Sequence, residues 1–385
     1  MKNLSILTFL SLIILISCGK TDTEDSNQSQ LDFSDIKVFN PVQISDVTEF
    51  GDDEFFGNVW FMLPLNDELV FVVDGSVQKI YKFSPNGTYH GFIGGEGSGP
   101  GEYGQIGFAT IIPPDTLAIM DWRRAMITFN SPNETDEWEP KKYLDLPPPP
   151  FEYGSDLFFY LSSFSPAENG YLGHYRSSFT IADTASHSYQ YFSEKDYSLK
   201  SKSDQQLVFE NLGPTVVRRT ENSVSMWSVM QLPRRLRELT SKNLIVDIWS
   251  LDPTIRILNV EGDELRRFPL FSKTIDRTDA DKQAVAREVV RDPSNSIISR
   301  AELVNMLPVR QNYAHELHID NLDRIWVKVN PQDEDAPEWI IYSLKGEIIG
   351  AMPTIEGRLV SIYNNFIFVN REPVTDIPSF TVYEF

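Results

Sequence analysis

The feature that most limits the fold of this chain is a short unit that recurs along it. In residues 80–89 (Ile-Tyr-Lys-Phe-Ser-Pro-Asn-Gly-Thr-Tyr) strand formers run into Asn86-Gly87 and then into a second strand. Asn-Gly supplies the positive φ values that a tight hairpin needs. Related units begin at Ile127, Ile257 and Ile341, and a looser one at Tyr191. The turns are read at Gly87, Asn133, Asp196, Gly262 and Gly346, and in the four clearer units Phe83, Phe129, Leu258 or Tyr342 lies four positions earlier. Further strands precede the turns at Leu69–Asp74, Thr116–Asp121, Asn243–Trp249 and Arg324–Val329.

Each unit is therefore a small antiparallel sheet, and five of them leave one set of C-terminal strands: Leu359–Tyr363, Phe366–Asn370 and Phe380–Phe385. The missing strand of this last sheet is expected from Ile36–Phe39, near the other end of the chain. Joining the two ends into one sheet leaves no long exposed edge. The expected fold is all-β, a six-bladed β-propeller over residues 36–385. The spacing of the turns is uneven, so rings of five or seven blades, and a sandwich with many insertions, also fit the pattern.

Residues 94–103 (Gly-Gly-Glu-Gly-Ser-Gly-Pro-Gly-Glu-Tyr), Trp326-Val327 and the ending 380–385 (Phe-Thr-Val-Tyr-Glu-Phe) carry a family resemblance. The chain resembles the six-bladed β-propeller lipoproteins of Bacteroidota and their relatives of NHL/TolB-like form. The resemblance spans nearly all of residues 36–385 and implies the fold; it implies little about activity.

One stretch departs from the strand pattern. Between Asp276 and Met306 the spacing of Ala280, Ala284, Val285, Glu288 and Val289 is helical. Ser299-Arg300-Ala301-Glu302 has capping-box form ahead of Leu303 and Val304. Two helices are expected between blades, folded over one face of the ring as a cover, or as a lid or docking element.

The N-terminal residues read as an export signal. Lys2 precedes an apolar run from Leu4 to Ile16, too short to span a bilayer, and the run ends Leu15-Ile16-Ser17-Cys18. This resembles the bacterial lipobox, which implies a signal peptide at 1–17 and a diacylated Cys18. Cys18 is the only cysteine, so the rest of the chain has neither a disulfide nor a thiolate metal site. Residues 18–35 are polar and acidic and are expected to form a flexible tether. Lys20 followed by acids resembles a surface-export signal of Bacteroidota lipoproteins, and an ordinary solvated linker fits as well. The expected location is the cell envelope, on an outer-membrane lipid anchor, facing the periplasm or the cell surface.

Charge narrows the partners. Asp and Glu number 55 against 34 Lys and Arg, a net charge of −21. Nucleic-acid binding needs clustered cations, so it is not expected. Pro147–Pro150 is too short for a domain linker and reads as a stiff connection between strands.

Several motifs invite chemical readings. The glycine run 94–104 lacks the Gly-Lys-Ser/Thr of a phosphate loop, and Glu96 and Glu102 would repel phosphate, so it reads as an inter-blade link. His315 and His318 are three apart on an expected strand and so face opposite sides, which does not make a chelating pair. The acidic runs 52–54 and 333–335 lack calcium-loop spacing. His90, His174 and His187 have no evident nucleophile partner, and no metal site is assigned.

Topology supplies a better candidate. Trp122-Arg123-Arg124 follows a second strand and should share a face with the 94–104 link. An indole beside guanidinium groups suits carboxylate or sugar recognition, or else packing and surface ion pairs. His315 is placed with them. The candidate binding face is therefore Trp122, Arg123, Arg124 and His315, for a glycan, a peptide or an envelope protein. The first functional reading is a binding protein with no cofactor. The alternative is a metal-assisted hydrolase or lyase, with calcium or zinc held in the central channel by residues from several blades; it rests on fold analogy alone.

Overall fold

The second strand of each blade is where the ring is decided. Val70–Asp74 is buried at every position, which an ordinary one-sided sheet would not produce. Its side chains alternate between two neighbours. Val70 and Val72 join a cluster with Phe368, Phe380 and Val382 of the last blade, whereas Phe71 and Val73 pack with Ile106, Leu117 and Ile119 of the next. Thr116–Asp121 does the same: Leu117 and Ile119 face back, and Ala118 and Met120 face forward onto Leu161 and Phe164. A sheet buried on both faces needs a sheet on either side, and that requirement closes the ring.

The structure is a computed structural model that describes residues 36–51, 54–146, 159–167, 170–177, 187–192, 215–220, 223–228, 231–291, 298–333, 335–371 and 378–385. The signal peptide, Cys18, the tether, Pro147–Pro150, Asp196, Asp52, Asp53 and Glu334, together with the side chains of His174 and His187, lie outside the described residues.

The fold is a six-bladed β-propeller. The inner strands of the six sheets are Val59–Pro64, Ile106–Ile112, Phe159–Ala167, Arg235–Leu239, Ala314–Ile319 and Arg358–Tyr363. Five of these sheets have four described strands and the third has three; the first five run outward in chain order from the inner strand, and the sixth does so for three strands. The inner strands of blades one and two, two and three, four and five, five and six, and six and one lie side by side around the axis. Among the described residues no helix is long and apolar enough to cross a membrane.

The strand that closes the ring differs from the expected one. Val42–Val47 forms the outer strand of the sixth blade, antiparallel to Ser379–Glu384. The expected Ile36–Phe39 lies instead along the outer strand of the fifth blade, with Val38 bridging Ala351 in parallel and Phe39 N–H donating to the Ala351 carbonyl at 2.8 Å. Phe39 covers Gly350, where a Cβ would come within 2.3 Å of its ring. The N-terminal segment thus latches two blades.

Three expected turns are alike in detail. The N–H of Gly87, Gly262 and Gly346 donates to Ser84, Asn259 and Ser343, with φ of 88°, 92° and 90°. In the second blade the corresponding residue is Asp136 at φ 60°, donating to Asn133. The expected turn at Asn133 is therefore three residues early. A bulge between Phe129 and Asn130 sits beside this shift.

The helical insertion is present as α1 (Asp279–Val289) and α2 (Arg300–Met306). Both helices start with capping boxes, Thr278 with Asp281 and Ser299 with Glu302. Ala280, Ala284 and Glu288 turn out exposed; the buried face is Ala286 and Val290, which pack with Leu303, Leu307 and Leu232. Leu232 leads into the fourth inner strand, so the insertion is pinned to the face where inner strands begin, which we term the upper face.

Candidate functional site

The upper mouth of the channel is shaped by β-bulges. The inner strands of blades one, two and five each carry an extra residue against the second strand, at Trp60, Gly107 and His315. Bulges re-aim a side chain, and they are frequent beside binding sites. By the same register, the residue just past the second strand is Gly75, Trp122 or Asn330.

These positions form pairs. Trp60 lies flat on Gly75, where a Cβ would meet the indole at 2.2 Å. In the next blade the pair is exchanged: Trp122 lies on Gly107, where a Cβ would meet it at 2.3 Å. In the fifth blade, His315 Nε2 and Asn330 Oδ1 are 2.8 Å apart. Trp122 and His315, expected to share a face, therefore occupy complementary positions of the same repeat. They stand on opposite sides of the ring, in blades two and five, and do not form one contact site.

Trp122 is 41% exposed. Arg124 donates to the Glu102 carbonyl at 2.7 Å, which brings the 122–124 loop onto the glycine-rich link as expected. Arg123 packs over Gly104. In that link Glu102 accepts from Gly99 N–H at 2.7 Å, so a carboxylate already occupies an amide that a phosphate would need. Asp121 and Asp74 are structural: each is fully buried and caps the amides that lead into its inner strand. Burial holds the His315 pKa below its ordinary value despite the Asn330 contact, and Arg234 and Lys328 add to the effect.

The sequence reading missed the lower half of the channel. A cavity of about 690 Å³ is lined by Phe61, Phe108, Ile111, Ile362 and Tyr363, among other residues of blades one, two and six, with Glu238 and His318 from blades four and five. Its size falls in the range of small-molecule pockets, about 300–1,000 Å³. Its mouth lies among the turns after the inner strands. A polar belt ties those turns together: Ser165 to Asn243, Ser241 to Asp323, Asn321 to Asn364, and Asn364 to Asp67.

Glu238 is the charged residue of this lining. It is exposed by surface area yet enclosed by protein, because the surface it exposes is channel wall. Loss of bulk solvation raises its pKa to about 7. His318, on the adjacent inner strand, lies 3.8 Å from Glu316 and close to the Trp339 ring. His315 and His318 face different surroundings, as their strand spacing required. Burial opposes ionisation of Glu316, but His318 and Lys328 outweigh it and hold its pKa low.

Behind the fourth inner strand, Asp247 is fully buried and binds three guanidinium groups. Arg235 reaches it at 2.7 Å, Arg237 at 2.5 Å, and Arg256 also pairs with it. Burial opposes its ionisation, and the arginines more than compensate, holding the carboxyl below the usual range. Among the described residues no three His, Cys, Asp or Glu side chains converge as a metal-ligand set.

The chain is similar to proteins of the same architecture. The sequence profile of the DUF5128 family, described as a 6-bladed β-propeller, matches residues 52–231. A structure of a DUF4221-family member from Bacteroides vulgatus superposes with a TM-score of 0.51 at 9% identity, covering 89% of this chain and 97% of that one. A protein from Bacteroides fragilis described as exported gives 0.44 at 11% identity, covering 89% and 93%. A virginiamycin B lyase from Staphylococcus aureus gives 0.38 at 9% identity, covering 89% and 98%. Among curated proteins none matches this chain significantly.

Proposed function

We propose that this protein is a lipid-anchored, exported ligand-binding propeller that holds its ligand in the lower channel. The observation that carries this reading is the cavity of about 690 Å³, with apolar walls and with Glu238 and His318 from neighbouring blades. Pockets of that kind, largely apolar with a few placed polar groups, are the usual form of a binding site. Export and anchoring rest on the apolar run 4–16 and on Cys18. The ligand is a small molecule, or the end of a glycan or peptide chain, that enters from the lower mouth. Trp122, Arg123, Arg124 and His315 shape the upper mouth.

The hydrolase or lyase alternative requires a metal held by several blades. Elemental analysis of the purified protein tests it: a stoichiometric, tightly held metal would favour turnover over binding alone.

The test is retention of ligand by protein purified from its native membrane. Mass spectrometry of the denatured protein should release a small molecule from the wild type and none from Thr110→Trp, which fills the cavity. Absence of any retained molecule, with no cell-extract fraction that raises the wild-type melting temperature above that of Thr110→Trp, contradicts the reading. Cys18→Ser should move the protein from the membrane fraction to the soluble fraction.

A further inference from the structure

We propose that the ligand of the lower channel has an apolar body and one protonated amine, and that the amine docks on the Glu238 carboxylate. This inference rests on the channel being the binding site and adds the class of ligand.

The Glu238 side chain makes no hydrogen bond or ion pair with any described residue. It stands on the wall of a cavity whose described lining contains neither lysine nor arginine. A carboxylate drawn away from bulk water without a partner is unfavourable. Elsewhere in this protein enclosed acids are matched: Asp247 by three arginines, Glu316 by Lys328 at 3.6 Å and by His318, and Asp320 by Arg324 and the Trp326 indole. Glu238 departs from that pattern in the wall of the cavity. His318 is the nearest candidate counter-charge on the neighbouring strand, but its Nε2 is turned to Glu316.

The remaining lining fits the rest of such a ligand. Phe61 and Phe108 meet edge to face at 5.8 Å, and Ile111, Val360 and Ile362 extend the apolar wall. The uncharged polar groups are Thr110, Ser361, Asn321 and Tyr363. An apolar amine places its carbon skeleton on the aromatic wall and its cation on the lone acid. An anionic ligand would meet an acid that no lysine or arginine of the described lining offsets.

Proton linkage follows. The ionised carboxylate is the binding form, so affinity rises with pH through about 7, where Glu238 titrates. The other titratable groups facing it, His318 and Tyr363, and the Glu316–Lys328 pair behind His318 remain in place in the variant and serve as internal controls.

Titration calorimetry of the full chain with phenethylamine and with phenethyl alcohol separates the possibilities, since the two differ in the charged group. Phenethylamine should bind wild type about tenfold more tightly than the alcohol, and its affinity should rise about tenfold from pH 6 to pH 8. Glu238→Gln should remove both differences. If both probes bind but Glu238→Gln leaves the amine preference intact, the amine assignment is overturned while the channel remains the site. If neither probe binds wild type more tightly than Thr110→Trp, the channel reading and this inference both fail.

Discussion

The hydroxyl of Thr381 donates to Asp46 Oδ1 at 3.1 Å, joining the last strand of the chain to the first. Arg371 holds the other oxygen of the same carboxylate at 3.2 Å. Asp46 therefore braces the seam from two sides. Thr381→Val should cost about 1 kcal/mol, the worth of one hydrogen bond, because Arg371 still satisfies the acid. Asp46→Ala, which removes both contacts, should cost more. Urea unfolding of the two variants checks the order.

Asp247 should be far more sensitive. Asp247→Ala leaves three clustered guanidinium groups without their anion, and about 3–5 kcal/mol is expected for breaking such a buried group. Its folded pKa is depressed. The unfolded chain therefore binds the proton more readily, and the stabilisation is complete above the ordinary aspartate value of about 3.9. It is lost as pH falls through the lower folded value. Acid unfolding of Asp247→Asn should lack this component.

The indole-on-glycine pairs make a matched test. A Cβ on Gly107 would come within 2.3 Å of Trp122, so Gly107→Ala must displace the ring. Overpacking of this kind costs about 1–3 kcal/mol. In a Trp122→Ala background the same substitution should be nearly neutral, and a double-mutant cycle by chemical denaturation reads the coupling.

Glu238 predicts the opposite pH trend from Asp247. Its folded pKa, about 7, lies above the value in the unfolded chain. The folded state holds the proton more tightly, so stability is highest below the unfolded pKa and declines as pH rises through about 7. Glu238→Gln should raise the melting temperature at pH 8 more than at pH 5, with calorimetry as the readout.

Much of the fold could be read in advance because turn chemistry and burial are local. Gly87, Gly262 and Gly346 announced their hairpins, and Thr116–Asp121 was legible as a strand to the residue. What failed was register. Asp136 does the work of a glycine, and nothing in its neighbourhood distinguishes it from Asn133. Ile36–Phe39 and Val42–Val47 are both plausible strands, and only the partner across the chain decides which one closes the sixth blade.

The channel was less legible than the rim. Trp122 and His315 were found because they stood out locally, yet the ring separates them by two blades on either side. Glu238 sits in a strand between Arg237 and Leu239, and its isolation arises only when residues from blades one, two, five and six surround it. A site built from single contributions of several blades has no linear motif.

Hydrogen exchange across the seam tests the closed ring most directly. The amides of Val42–Val47 should be as protected as those of Phe366–Arg371, and the two segments should lose protection together in one global opening. Rapid exchange of Val42–Val47 while Phe366–Arg371 stays protected would mean that the first strand does not complete the sixth blade, and the ring would be open.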